Sequence, residues 1–356
     1  MLEIFRKWYQ RYLFEEESVL LLVLLTVAVI LLMTIGDILA PVLAGIVLAY
    51  LAQGLAGQVE KFGFPHWLAV AVSYLVFVGV FFGFIFALLP LAWRQMMSLV
   101  SVMPEMLERM QQFLGVLPER YPHIVSKQQL GELLNIAQAQ FAGMGQAVVK
   151  RSLASIPGIL VVMVYMILIP LLVFFFLKDR QQILDWLGSF LPSERPFLRR
   201  IWSEMNEQFA NYARGKVLEV LIVGSVTYFA FTWLDMDYAA LLALMVGLSV
   251  IVPYIGATLV TLPVVMVGFL QWGISTEFYY MFAIYMVIQV LDGNVLVPIL
   301  FSEAVNLHPV AIILAVLFFG GIWGLWGVFF AIPLATLIKA IINAWPNAQR
   351  SVSEAP

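Results

Sequence analysis

Residues 238–272 of the chain read YAALLALMVGLSVIVPYIGATLVTLPVVMVGFLQW. This apolar stretch is interrupted at residues 252–256 by VPYIG, where proline lacks a backbone donor and glycine favours turns. A second apolar stretch, residues 309–338, is interrupted in the same manner by GGIWG at residues 320–324. The two stretches therefore predict two broken helices within a membrane.

The composition predicts a membrane protein along the whole chain. Hydrophobic residues make up 63% of the sequence, charged residues only 12%, and the mean hydropathy is +0.96. Because such a chain cannot cover a soluble surface, we expect an all-α polytopic membrane protein. The net charge of −3 includes no basic run that would favour nucleic acid. The absence of cysteine excludes disulfides and thiolate metal sites.

Six further segments have the length of a membrane-spanning helix, which is about 20 residues. Together with the two interrupted stretches, they predict eight or more membrane segments. The six predicted spans are residues 18–35, 38–57, 67–92, 156–177, 217–234 and 278–300.

The distribution of Lys and Arg predicts the orientation of these spans. Basic residues lie in the N-terminal segment, in the loop after the fourth predicted span, and near the C-terminus at Lys339 and Arg350. The short turns on the opposite side contain neither residue type. We therefore expect both termini to lie in the cytoplasm.

The number of crossings constrains the two interrupted stretches. The first stretch must begin and end outside the cell, and the second must begin and end inside it. Each could cross the membrane twice or enter it as one re-entrant hairpin. The arms of the second stretch have about 15 residues, or about 22 Å of helix, which is short of a ~30 Å hydrocarbon core. No basic residue marks a cytoplasmic turn at residues 252–258. We therefore predict two hairpins that enter from opposite faces, with two tilted crossings as the alternative for residues 238–272.

Each predicted hairpin follows a predicted span, which indicates an inverted repeat. The fifth and sixth spans run in opposite directions, and so do the hairpins after them. Each second arm carries a glycine followed by a proline, Gly256 and Pro263 in one arm and Gly327 and Pro333 in the other. Inverted repeats with broken helices are the architecture of many secondary transporters.

Two polar segments, residues 93–155 and 178–216, carry apolar residues at three- and four-residue spacing, which predicts amphipathic helices. We expect the outer one to pack on itself, on the membrane or on a neighbouring subunit, with a partner- or substrate-contact face as the alternative. The inner one is predicted to lie at the membrane interface. The predicted organisation comprises N-terminal scaffold spans (1–92), extracytoplasmic amphipathic helices (93–155), a fourth span with a cytoplasmic amphipathic loop (156–216), an inverted-repeat transport unit (217–339) and a cytoplasmic tail (340–356).

Asp292 is the main candidate for a functional role. It lies about 22 Å along its predicted helix from Glu277, past the midplane of a bilayer. Since an isolated carboxylate is costly there, we expect Asp292 to face a cavity, hold a proton or bind a cation. The alternative is a structural hydrogen bond to a hairpin tip. Asn294 and Gln289 are polar neighbours, and Pro298 loosens the helix backbone nearby.

The interruptions supply further candidates for substrate or ion binding. Backbone groups freed in broken membrane helices can bind ions or polar solutes, although small residues also permit close helix packing. His308 either titrates near neutral pH or caps a helix, and Glu219 either reaches the surface or pairs with Lys216. The candidates in this group are Pro253, Gly256, Thr258, Gly320, Gly321 and His308.

Several enzyme motifs are absent from the sequence. It contains no GxxxxGK[ST] phosphate loop, no HExxH zinc motif and no GxSxG nucleophile motif. The histidines His66, His123 and His308 lie far apart, so we expect no catalytic metal. The sequence therefore predicts a protein that is not an enzyme and needs no cofactor.

Several motifs resemble those of a known family. They are IVPYIG at 251–256, DGN at 292–294, LHP at 307–309, the glycines of 320–327, AIPL at 331–334 and FFFLKD at 174–179. Through them, nearly the whole chain resembles the autoinducer-2 exporter family of bacterial inner-membrane permeases, which includes the PerM-type proteins. The resemblance implies an export-type permease driven by an ion gradient, an elevator-like motion of the hairpin unit and a homo-oligomer. It implies no single cargo, because members are linked to a quorum-sensing signal or to sodium–proton exchange.

These features together predict a secondary-active transporter of a small polar solute or ion. In this interpretation Asp292 binds a coupling proton or sodium ion, and the hairpin tips line the site. A passive pore formed by an oligomer and a membrane scaffold that recruits partners are the alternatives. An intramembrane enzyme is disfavoured because no second acid accompanies Asp292 in its predicted span.

Overall fold

The computed structural model describes residues 16–115, 156–192, 196–253, 255–301 and 307–344, and these residues contain no β-strand. Two five-residue π-helical segments also occur, Phe84–Leu88 after the helix His66–Gly83 and Asp292–Leu296 after the helix Thr276–Leu291. The helices in chain order are α1 (Glu16–Lys61), α2 (His66–Gly83), α3 (Leu89–Gly115), α4 (Ile156–Lys178), α5 (Arg180–Gly188), α6 (Pro196–Trp233), α7 (Ala239–Ser249), α8 (Ile255–Trp272), α9 (Thr276–Leu291), α10 (Val297–Phe301) and α11 (Pro309–Ala344).

Eight stretches of the described residues are long and apolar enough to cross a membrane. All six predicted spans overlap these stretches, and the remaining two come from the interrupted stretches. Large apolar side chains such as Ile38 and Trp233 are mostly exposed, as expected for a surface that faces lipid. The prediction of an all-α polytopic membrane protein is confirmed. The eight stretches are Val19–Gly36, Ile38–Lys61, His66–Val102, Leu160–Lys178, Leu198–Trp233, Ile255–Trp272, Thr276–Phe301 and Pro309–Ile342.

The first interrupted stretch forms a helical hairpin, which we call the first hairpin (α7 and α8). The helices pack against each other, and residues 250–253 of the segment between them form turns and a bend. A methyl group at Gly256 would collide with the carbonyl of Ser249, so only glycine allows the chain to fold back this tightly. The entry to α7 is also fixed, because the Gln95 side chain accepts a hydrogen bond from the Leu241 amide at 2.8 Å.

The second interrupted stretch, α11, also folds back on itself, and we call it the second hairpin. Its backbone leaves helical geometry at Trp323 (φ −130°, ψ 16°) and Gly324 (φ 58°, ψ −137°). A left-handed φ favours glycine, which explains why the break falls at Gly324. Ala315 before the break packs in one cluster with Ala331 after it. The chain therefore folds back at both predicted interruptions. Whether each hairpin is re-entrant, and the entry of the two from opposite membrane faces, stay predictions.

The buried side chains form two main groups. One cluster joins α1, α2 and α4 through residues such as Ala52, Phe77 and Val173. The largest cluster instead joins α3 with α6, α7, α8 and α9, and it includes Phe231 and Tyr285, both fully buried. Helices α1, α2 and α4 therefore have a core separate from the one that α3 and α6 share with the first hairpin and α9.

Two predicted boundaries lie inside continuous helical segments. The helical chain of α2 continues through the π-helical segment into α3, past residue 92. Likewise α6 is a single 38-residue helix that runs through Lys216. Its apolar face packs inside the protein, where Ile201 and Tyr212 are buried. The interfacial position of residues 178–216 stays a prediction, and residues 116–155 of the outer segment lie outside the described residues.

Candidate functional site

One face of α6 carries the polar residues from which the candidate site is built. Gly215 and Lys216 follow Tyr212 by three and four residues and precede Glu219 by four and three, so all four lie on one face of the helix. Tyr212, Lys216 and Glu219 expose only 2%, 4% and 2% of their surface. Charged groups are almost never this buried unless they are paired, so the partners of Lys216 and Glu219 define the site.

Lys216 joins three elements. Its Nζ lies 2.6 Å from Glu219 Oε2 and donates a second hydrogen bond to the Val250 carbonyl at 2.9 Å. The ammonium also lies 5.1 Å from the centre of the Phe301 ring, within the range of a cation–π interaction. The Val250 carbonyl belongs to the end of α7, where helix carbonyls lack partners of their own. A single buried cation therefore binds α6, the tip of the first hairpin and the end of α10 together.

Asp292 is the first residue of the π-helical segment, which packs against α6. Its carboxylate lies within electrostatic range of both Lys216 and Glu219. Its Oδ1 is buried and has no hydrogen-bond partner among the described residues. The same holds for Nε2 of Gln289, which precedes Asp292 by three residues and lies on the same helix face.

The two unpaired atoms differ in their chemistry. A carboxylate oxygen accepts a proton, a cation or a hydrogen bond, whereas an amide nitrogen donates one. Leaving a buried polar group unpaired costs about 1–3 kcal/mol. An acceptor at Asp292 beside a donor at Gln289 therefore suits a small polar ligand with both functions, or a cation with its water.

The second hairpin contacts the same face of α6. The Tyr212 hydroxyl donates a hydrogen bond to the Phe329 carbonyl at 2.9 Å. The Tyr212 ring also lies 5.8 Å from that of Phe301. At Gly215 a methyl group would lie 2.8 Å from the Phe301 ring, so glycine at this position allows the ring to pack directly against the helix backbone. Both hairpins and α10 therefore meet on one face of α6.

The hairpins also touch each other directly. Val252, in the turn of the first hairpin, packs against the cluster of Ala315, Val316 and Ala331 in the second. At its own break the second hairpin meets α1, where the Trp323 indole lies against Gly36. Gly36 follows Ile35, where α1 departs from helical geometry (φ −128°, ψ 19°) at the predicted junction between the first two spans.

The predicted site residues occupy different positions in this arrangement. Asp292 lies within electrostatic range of the ion pair, Gln289 lies one helical turn before Asp292, and Pro253 and Gly256 lie at the first hairpin tip. Asn294 is exposed, and its amide nitrogen donates to the Val290 carbonyl of its own helix at 2.9 Å. The remaining candidates are Pro298 and Thr258, which are exposed on α10 and α8, and Gly320 and Gly321, which lie just before the break in α11.

His308 is the start of the second hairpin rather than a neighbour of Asp292. It is exposed, its Nδ1 accepts a hydrogen bond from the Val310 amide at 3.2 Å, and its carbonyl accepts from Ala311. These contacts agree with the interpretation of His308 as a helix cap.

Sequence reasoning missed the central role of Lys216. It counted this lysine among the cytoplasmic charges, because a lysine at the end of a basic loop resembles an orientation signal. The predicted pairing of Glu219 with Lys216 is confirmed by the 2.6 Å contact. Their three-residue spacing in an otherwise apolar run was the available signal. The contact with Val250 depends on tertiary packing and has no signature in the sequence.

Comparison with known proteins agrees with this architecture. A family model described as AI-2E family transporter matches residues 19–347. The chain belongs to the AI-2E transporter family. The resemblance to autoinducer-2 exporters is thereby confirmed, and the chain is a multi-pass membrane protein of a transport family.

Individual AI-2E relatives support the assignment over nearly the full length. PerM of Escherichia coli (strain K12), whose name describes a permease, is 47% identical over 349 residues, which cover 98% of this chain and 99% of PerM. YueF of Bacillus subtilis (strain 168), named as a transport protein, is 25% identical over 320 residues, or 86% of this chain and 84% of YueF. YrrI of the same strain, also named as a transport protein, is 24% identical over 344 residues, or 91% of this chain and 94% of YrrI. None of these names states a substrate.

Proposed function

We propose that this AI-2E family protein is a secondary-active transporter of a small polar solute or ion, driven by a proton or sodium gradient. The proposal rests on two buried atoms, Asp292 Oδ1 and Gln289 Nε2, which have no hydrogen-bond partner in the described part of the chain. Asp292 lies within electrostatic range of the ion pair that binds the tip of the first hairpin, and Gln289 lies one helical turn before Asp292. A binding site next to a hairpin tip is a common arrangement in secondary transporters.

The charge of Asp292 provides a coupling mechanism. When ionised, Asp292 attracts Lys216, which also binds Glu219 and the Val250 carbonyl. A proton or cation on Asp292 removes that attraction and leaves Lys216 to its other partners. Occupancy of Asp292 would therefore change how firmly the first hairpin is held to α6. A ligand shifts a conformational equilibrium only through such a difference in interaction between states.

The separate cores support an elevator-like motion. The α1–α2–α4 cluster would be the scaffold, and the hairpin-bearing helices would move against it. The two parts meet in a small cluster around Val47, Ala213 and Phe330. In the proposed arrangement the protein is a homo-oligomer in the bacterial inner membrane with both termini in the cytoplasm.

Proteoliposomes with an entrapped pH-sensitive dye test this function. An imposed sodium gradient is expected to drive proton movement that saturates with sodium concentration. Asp292→Asn should abolish it, whereas the matched control Asp237→Asn, in an exposed loop, should retain it. Equal fluxes in both variants would remove Asp292 from the coupling step. Flux that neither saturates nor runs uphill would identify a passive pore instead.

A second measurement needs no substrate. An ion that binds only the folded protein raises its stability by RT ln(1 + [L]/Kd), or about 2.7 kcal/mol at a concentration of 100 Kd. Sodium or a change in pH should therefore shift the melting temperature of the wild type and of Asp237→Asn, but not that of Asp292→Asn. A wild type that responds to neither ion contradicts coupling to these gradients.

A further inference from the structure

A polar cavity of about 440 Å³ lies between α1, α5 and α6, away from the Asp292 site. Its α6 wall includes Glu207, Ala210 and Arg214, which share a helix face. Lys216 follows Arg214 by two residues and therefore points about 200° around the helix from it. The cavity and the Asp292 site are on different sides of α6.

The cavity concentrates positive charge. Lys61 from the end of α1, Arg180 from the start of α5 and Arg214 from α6 all line it, against a single acid, Glu207. Among the described residues, no carboxylate forms a salt bridge with any of the three cations. Cations that share a cavity repel one another, so an anionic ligand would relieve that repulsion.

The guanidinium groups of Arg180 and Arg214 are held by hydrogen bonds that occupy only some of their N–H groups. The Asn206 Oδ1 accepts hydrogen bonds from Tyr50 at 2.6 Å and from Arg180 at 3.4 Å. Arg214 donates to the Ala210 carbonyl and to Asn211 Oδ1, both at 3.0 Å. Each arginine has five N–H groups, so both keep further donors for a ligand.

A glycine keeps this wall open. A methyl group at Gly54 would lie 2.9 Å from Cδ of Arg214, so the arginine stem lies directly across the α1 backbone. Ligand pockets range from about 300 to 1,000 Å³, and this cavity is larger than an inorganic ion needs. Guanidinium forks match the oxygens of phosphoryl groups in pairs.

We infer that this cavity binds an anionic phosphoryl group with a small organic substituent, held by Arg180 and Arg214 with Lys61 at the rim. Such a group is available from two sources, the head group of a phospholipid or a soluble phosphate ester. The binding depends on none of the Asp292 contacts and stands apart from the proposed transport function.

Thermal unfolding of the purified full-length protein tests the inference. Glycerol 3-phosphate is the soluble probe, and nanodiscs of phosphatidylglycerol are compared with nanodiscs of phosphatidylcholine. Saturable stabilisation by glycerol 3-phosphate indicates a soluble ligand, and selective stabilisation by phosphatidylglycerol indicates a lipid. If neither probe stabilises the protein, there is no phosphoryl site.

Substitutions then localise the effect. Arg180→Gln should weaken binding by at least about tenfold, since hydrogen bonds to charged groups are worth about 1.5–3 kcal/mol. Arg180→Lys, which keeps the charge and loses the fork, should weaken it less. Glu207→Gln should tighten binding, because it removes the carboxylate that repels an anionic ligand.

The matched control is Arg200→Gln on the exposed surface of α6. It makes the same charge change on a helix that contributes to the cavity, and binding should remain unchanged. If Arg200→Gln weakens binding as much as Arg180→Gln, the effect is general surface charge and the inference is wrong. Asp292→Asn should retain phosphoryl binding even where it abolishes transport, which separates this site from the coupling site.

Discussion

Lys216 donates a hydrogen bond to the carbonyl of Val250, so a buried ammonium group on α6 holds the turn of the first hairpin. These residues are 34 positions apart in the sequence. The contact supplies the partner that a helix-end carbonyl lacks, and it gives the lysine a second hydrogen-bond acceptor besides Glu219. The position of the hairpin and the state of the ion pair are therefore linked.

Removing one member of the buried pair should be far more harmful than removing both. Lys216→Met leaves Glu219 buried without its cation, which should cost about 3–5 kcal/mol of unfolding free energy. Lys216→Met combined with Glu219→Leu removes both charges of the pair and should recover much of that loss. The measurement is reversible unfolding in detergent micelles across a double-mutant cycle. Additive losses would show that the two side chains do not act as a pair.

The tight closure of the second hairpin depends on Gly327. A methyl group there would collide with the Phe319 carbonyl, whereas at Gly321 it would meet open space. Gly327→Ala should therefore lower stability by about 1–3 kcal/mol through overpacking, and Gly321→Ala should have a much smaller effect. Thermal unfolding in detergent compares the two. Equal melting temperatures for the two variants would mean that the arms do not approach as described.

Tyr212 should contribute to the stability of the folded protein through its hydroxyl group. Tyr212→Phe keeps the ring against Phe301 but leaves the Phe329 carbonyl without this donor. The expected loss is about 1–3 kcal/mol, since the buried acceptor becomes unpaired. Tyr228→Phe on the exposed face of the same helix is the control and should be nearly neutral. A neutral Tyr212→Phe would show that the carbonyl finds another partner.

The absence of native cysteine allows a direct test of the hairpin directions. Asp237→Cys lies before the first hairpin and His308→Cys before the second. If the hairpins enter from opposite faces, a membrane-impermeant thiol reagent added outside whole cells should label position 237 only. In inverted membrane vesicles it should label position 308 only. Labelling of both positions from one side would contradict the inverted repeat.

Local sequence signals predicted the helices and their breaks. Gly324 adopts a left-handed φ, and Gly256 permits a backbone approach that no larger residue allows, so these positions are dictated by the residue itself. The pairing of Lys216 with Glu219 was also predictable, because three-residue spacing places two side chains side by side on any helix. These features need no knowledge of the tertiary structure.

The composition of the candidate site was less predictable. Asn294 and His308 have suitable chemistry, but one binds a carbonyl of its own helix and the other caps α11. A polar residue type does not reveal whether the local backbone already uses its hydrogen-bonding groups. The meeting of both hairpins on α6 depends on packing between residues more than 100 positions apart, such as Tyr212 and Phe329. The periodicity of a sequence does not indicate which residues so far apart in the chain come into contact.

The π-helical segment at Asp292–Leu296 gives its helix one more residue than an α-helical turn accommodates. If the π-helical geometry shifted to the next residue along the helix, the residue at the shifted position would rotate by about 100° about the helix axis. The Ser275 cap at the start of α9 and the Phe301 ring at the end of α10 could remain where they are. The helix can thus reorient a single carboxylate by a change of local register, without a hinge and without sliding the whole segment through lipid.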